Sequence, residues 1–179
     1  MLKKHTTKHL WFTCAVIALV ALLPLLGSGT TPVAEAGKVR ENTASASWTK
    51  CTGRTCTDTT IIATHRGSTK TLSFEETTYN KNTGKVSARR AGFARNVHLK
   101  QDGLNSASVA AKVAVKRCNA QDVCKNAGSV QVKAAWTGKG KTRTDPEDGR
   151  KVRAATATGR IAGTNPGKLQ FANLTVQTK

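Results

Sequence analysis

The chain has 179 residues and a formal net charge of +19, from 29 Lys and Arg against 10 Asp and Glu. That length is one ordinary domain with room for a real core. The charge keeps the protein soluble and draws it to polyanions at low ionic strength, a solvated basic surface with no dedicated partner being the plain alternative, and it says nothing about fold.

The first 36 residues read as a leader. Lys3, Lys4 and Lys8 precede an apolar run from Leu10 to Leu26, and Ala34-Glu35-Ala36 closes the stretch. A charged start, an apolar middle and an A-x-A signal in that order predict a cleaved signal peptide over 1–36, with the mature chain starting at Gly37. Its apolar run is at the short end for a membrane span, so no transmembrane segment is expected after cleavage. The leader holds three lysines and one glutamate, so the remaining 143 residues carry 26 basic and 9 acidic residues, a net +17. The expected location is outside the cell, secreted or bound to the cell surface.

Residues 37–43 read as a flexible lead, and 44–179 as a single β domain. Ala44, Ala46 and Trp48 alternate with Ser45, Ser47 and Thr49. Val113 and Val115 alternate with Lys112 and Lys116, and Val130, Val132, Ala134 and Trp136 alternate with polar or small residues. A period of two marks half-buried antiparallel strands. Strands are predicted over 44–51, 58–65, 69–79, 85–91, 93–100, 107–118, 128–138, 150–158 and 168–178. Turn residues such as Asn80–Gly84 and Asp145–Gly149 separate them. The alanine-rich stretch 105–115 has helical propensity, but its alternation favours a strand. In the last strand the phase slips between Phe171 and Leu174, which predicts a bulge near Ala172.

The fold class is therefore all-β, an antiparallel β-sandwich of eight or nine strands, with a closed β-barrel as the alternative. Two related halves are suggested by SASWTKC at Ser45 and VAVKRC at Val113, each followed by a second cysteine. The interval from Cys51 to Gly84 is also close to that from Cys118 to Gly149. The core is expected to be lean, because many inward positions are alanine or threonine.

Cys51, Cys56, Cys118 and Cys124 form an even set in an exported chain, which reads as two disulfides. The local pairing, Cys51–Cys56 and Cys118–Cys124, is expected, each bond pinning a turn. Their spacing suits zinc poorly. The acidic turn Asp145, Glu147 and Asp148 is accounted for by turn chemistry without calcium, so neither a metal nor a cofactor is called for.

Catalytic chemistry finds little material. With both pairs oxidised no thiol remains for a Cys–His nucleophile. No Gly-x-Ser-x-Gly, His-Glu-x-x-His or phosphate-loop motif occurs. His98 with Asp102 is the one pair of interest, and an enzyme with a loop-built site near His98 is a second reading. Alternation, however, sets His98 outward, opposite in phase to Val97 and Leu99. Glu75 and Glu76 are strand neighbours on opposite faces, so they cannot be a glycosidase pair with each other.

The basic residues carry the functional weight. Lys85, Arg89, Arg90 and Arg95 fall in one stretch, and Lys139, Lys141, Arg143, Arg150, Lys151 and Arg153 flank the second long turn. If the halves correspond, the two stretches form one positive surface. The leading expectation is a non-catalytic extracellular module for an anionic wall polymer, an acidic polysaccharide or an anionic membrane surface. A sequence-specific nucleic-acid reader would interleave aromatics, and only Phe93 lies nearby. A structural or assembly protein pairing through exposed strand edges is a further reading.

Overall fold

A computed structural model describes residues 40–177. The expected leader and residues 37–39 of the lead lie outside them. Nine strands follow in chain order: β1 Glu41–Thr52, β2 Thr55–Arg66, β3 Thr69–Asn80, β4 Val86–Arg95, β5 His98–Asp102, β6 Ser106–Asn119, β7 Cys124–Thr144, β8 Lys151–Ile161 and β9 Lys168–Val176. Among the described residues there is no helix. The stretch from 106 to 115 is strand, as its alternation requires. All strand pairings are antiparallel.

The strands make one sheet in the order β4-β3-β2-β1-β9-β8-β7-β6-β5, and β4 also pairs with β6. Hydrogen bonding therefore runs from β4 around to β6 and back to β4, leaving β5 as a short flap on β6. The halves share a pattern: β1 to β4 and β6 to β9 are each consecutive neighbours, joined at β9–β1 and β4–β6. Inward side chains from β1, β2 and β3 meet those from β5, β6, β7, β8 and β9 in a single core. Six of the twenty core residues are alanine, so the apolar area per residue is small, as the composition predicts. Across this core the Trp136 indole N–H donates to the Ser45 carbonyl at 2.9 Å, which satisfies a polar atom of an otherwise fully buried ring.

The seam between β4 and β6 rests on Gly92. It faces Val115 across the ladder, and a Cβ there would stand 2.4 Å from the Ala114 carbonyl oxygen and 2.7 and 2.9 Å from the Cγ1 atoms of Val113 and Val115. Only a residue without a side chain lets the strands approach this closely. Gly92 also corrects the predicted break at that position. The strand continues through it to Arg95, and the chain turns instead at Asn96, whose φ is 54°.

Other boundaries shift for local reasons. β1 begins at Glu41, so residues 41–43 of the expected lead are strand. They pair with β2 on one side, and residues 42 and 43 also pair with β9 on the other, while Glu41 sits 3.9 Å from Arg66. The bulge in β9 falls at Gln170, opposite the step from Ser47 to Trp48, two residues before the expected place. It turns Phe171 outward, 49% exposed, while Ala172 and Leu174 are buried.

Both disulfides pair locally, Cys51–Cys56 and Cys118–Cys124. Each joins directly opposed residues at the tip of a hairpin, β1–β2 and β6–β7, and both tips lie at the same end of the sheet. The cysteine-to-glycine spacing does not carry further. The interval to Gly84 holds all of β2 and β3, whereas the interval to Gly149 holds only the long β7.

Two outcomes test this fold. Gly92→Val is expected to lower stability by about 1–3 kcal/mol through overpacking, whereas Ala91→Val on the exposed face should stay within about 0.5 kcal/mol. Equal urea midpoints for the two variants would contradict the seam. Replacing Cys118 and Cys124 together by serine is expected to cost about 2 kcal/mol by loop entropy, with the β circular-dichroism signature retained.

Candidate functional site

The ten basic residues singled out by sequence do not converge. Lys85 and Arg89 lie at the disulfide end, where Arg89 is the direct partner of Cys118. Arg95 lies at the other end, opposite Thr71. Lys139, Lys141, Arg143, Arg150, Lys151 and Arg153 cluster on the β7–β8 hairpin at that other end, where Arg143 faces Val152 and Thr144 faces Lys151. The expected single surface is thus two separate groups, because the Gly84 and Gly149 turns sit at opposite ends of the sheet.

Several of these charges are also spent within the protein. Arg90 points inward, donates from Nε to Glu76 at 2.8 Å and lies 5.6 Å above the Phe74 ring. Arg89 is 3.8 Å from Asp122. Arg150 makes a close ion pair with Asp148. Arg153 donates to the Gly140 carbonyl at 3.0 Å and to Asn105 at 3.1 Å. The side chains of Asp145 and Asp148 accept backbone N–H groups from Glu147 and Arg150 at 3.0 Å each, so the acidic turn is held by ordinary turn chemistry.

A different positive surface emerges from strand register. On the outer face of β5 to β8, His98 stands opposite Ala110, Ala110 opposite Lys133, and Lys133 opposite Arg160. The next row runs Lys100, Ser108, Ala135 and Thr158, and Lys112 stands opposite Gln131 on the other side. No ion pair involves Lys100, Lys112, Lys133 or Arg160 among the described residues. Arg160 makes one contact, a 3.3 Å hydrogen bond to the Gly163 carbonyl. The face is therefore cationic with small residues between the charges, and its only carboxylate, Asp102, sits at the rim.

A cavity of about 600 Å³ opens on this face. It exists because β8 and β9 part company. They pair only from Lys151 to Ala154. Beyond that point β8 stays with β7 while β9 stays with β1. Outer residues His98, Ser108, Lys133, Thr158 and Arg160 line the rim, and Trp48, Gly159 and Leu169 line the gap between the parted strands. Gly159 lets the Trp48 ring pack against β8: a Cβ there would lie 3.1 Å from the ring.

His98 and Ser108 both face this cavity, but no carboxylate lines it. Asp102 lies four residues along β5 from His98 and makes no hydrogen bond to it. The site thus offers cationic and hydroxyl donors together with an apolar wall, and no assembled acid–base pair. The unpaired edges are short: β5, the flap, is five residues long, and β8 and β9 are apart only beyond Ala154.

No two of the residues that build this face are adjacent in the chain. Their signal was present in the alternation, which puts Lys112, Lys133 and Arg160 at outward positions. The cross-strand register that unites them is not local information.

The Arg150–Asp148 pair gives a direct check. Hydrogen bonds from Arg150 hold the Asp148 carboxyl below the usual range. A carboxyl lowered in the folded state contributes stability above its unfolded pKa, and that contribution fades as pH falls through the folded value. Arg150→Gln removes the side-chain ion pair but keeps the backbone N–H of residue 150, and is expected to raise the Asp148 titration, followed by carboxyl carbon NMR, toward the ordinary carboxylate range. An unchanged titration would mean the pair is not formed in solution.

No family model, curated protein or solved structure matches this chain.

Proposed function

We propose that the protein is a secreted, non-catalytic β module that binds an anionic extracellular polymer or surface through the outer face of β5 to β8. The observation that carries this reading is the Lys133–Arg160 pair. The two cations are direct cross-strand neighbours, an arrangement that destabilises a sheet when nothing neutralises it. Both line the same cavity with His98, and no carboxylate answers them. A row of sulfate, phosphate or carboxylate groups laid across the strands would. Arg160 can engage an oxyanion through two N–H groups, and Lys133 supplies a point charge beside it.

The polymer class follows from the chemistry of the cavity. Ser108, Thr158 and Asn165 offer hydrogen bonds, and Leu169 an apolar wall. That mixture suits an anionic glycan or wall polymer better than a bare anionic membrane. Two disulfides at exposed hairpin tips agree with an oxidising, extracellular setting.

The experiment compares the protein with its Lys133→Gln, Arg160→Gln double variant. Binding is read against an anionic wall polymer, an acidic polysaccharide, double-stranded DNA and anionic vesicles at about 50 and 300 mM salt, a range over which charge-driven contacts weaken steeply. The double variant is expected to bind one of these about tenfold more weakly at low salt, while its thermal stability is unchanged or slightly higher. Neutralising Lys139 and Lys141 instead should have a smaller effect. Equal losses from both pairs would mean that charge acts generically, and would sink the assignment to this face.

A further inference from the structure

The β4–β6 seam holds a second cluster of cations that the polymer-binding face does not use. Arg90 and Arg117 are direct partners across the seam. Together with Arg89 they line a cavity of about 340 Å³ at the disulfide end, shared with Glu76 and Thr78. Arg90 and Arg117 thus share a face with Glu76, while Arg89, one residue along β4, alternates to the opposite face. Glu76 is committed to Arg90 by a hydrogen bond and a close ion pair. Arg89 is held at 3.8 Å from Asp122. Arg117 has no carboxylate and no hydrogen-bond partner among the described residues.

Like charges directly opposite on a sheet repel, and here the repulsion is set against a partly enclosed wall. Arg90 is fixed by three contacts, with Glu76, with Phe74 and with the ladder, so it does not swing away. The loop carrying Asp122 is closed by the Cys118–Cys124 bond, which stiffens the rim beside Arg89. The result is a concave site in which Arg117 supplies the uncompensated positive charge beside the Arg90–Glu76 pair.

We propose that this cavity is an oxyanion site that binds a phosphate or sulfate group through Arg117, with Arg90 beside it completing the positive field. A tetrahedral oxyanion has enough acceptors to take two N–H groups from Arg117 and still reach a second guanidinium. A group presented on a glycan and a free inorganic ion share this chemistry. The site is separate from Lys133 and Arg160, so its success or failure does not depend on the polymer-binding face.

The test titrates the protein with inorganic phosphate, with inorganic sulfate and with a sugar phosphate, following the arginine Nε–H signals by NMR. Saturable shifts of the Arg117 and Arg90 signals are expected. Arg117→Gln should weaken phosphate binding about tenfold or more, as loss of a charge-assisted bidentate contact requires, and should leave polymer binding at Lys133 and Arg160 intact. Arg117→Lys keeps the charge and loses the fork, and is expected to recover only part of the affinity. Tighter binding of the sugar phosphate than of inorganic phosphate would assign the natural ligand to a glycan, and the reverse would assign it to the free ion. The native titration needs no variant to fold. If neither the Arg117 nor the Arg90 signal moves, or if Arg117→Gln binds phosphate as well as the native protein, the proposal is wrong.

Discussion

The close approach of β4 to β6 at Gly92 is the constraint on which the rest of the structure depends. Without it the sheet would end in two edges, each displaying unpaired N–H and C=O groups. With it, hydrogen bonding returns from β6 to β4, and the unpaired edges are reduced to the short β5 and the parted stretches of β8 and β9. Closure also explains how so lean a core suffices. Alanines at six core positions contribute little area each, but they let the sheet curve tightly, so Trp48, Phe74 and Trp136 from three different strands fill one interior. A bulkier residue at position 92 would hold the seam apart and expose that interior.

Closure also sorts the charges. Strand alternation gives each basic residue a face, and pairing around the sheet then decides its neighbours. Arg90, on the inward side of β4, meets Glu76 of β3 and the Phe74 ring. Half-buried guanidinium groups need such partners, because desolvation without compensation is costly. Lys133 and Arg160, on the outward side, meet each other and solvent. The same residue types are structural on one face and available on the other. Counting charge along the chain cannot separate the two roles.

Much of this was legible in the sequence. Alternation at Ala44–Thr49, Val113–Lys116 and Val130–Thr137 located β1, β6 and β7 and their inward faces, because a period of two is imposed by strand geometry itself. Cysteines five and six residues apart, in a chain read as exported, pointed to two local disulfides at hairpin tips. Three things were not legible. Gly92 reads as a turn residue in isolation, and only the partner strand shows that it is a contact. Phe171 reads as core until the bulge at Gln170, set by pairing with β1, turns it outward. The basic stretches 85–95 and 139–153 looked equivalent by spacing, yet one interval folds as two strands and the other as one long strand. In each case the missing information was the pairing of strands distant in sequence.

The strongest case for an anionic partner is energetic rather than numerical. A net charge of +19 is compatible with a merely solvated surface, and a high charge alone keeps a protein soluble. A solvated surface has no reason to place Lys133 directly beside Arg160, nor Arg117 beside Arg90, when small polar residues fill so many other outward positions. Both pairs border a concavity, at Lys133 and Arg160 where β8 and β9 part, and at Arg117 and Arg90 beside the β4–β6 seam. Adjacency and concavity coincide twice, on faces served by different residues. Repulsion that solvent must screen in the free state becomes attraction once an anion bridges the pair, so the unfavourable contact in the empty protein is the same feature that would give the bound state its affinity.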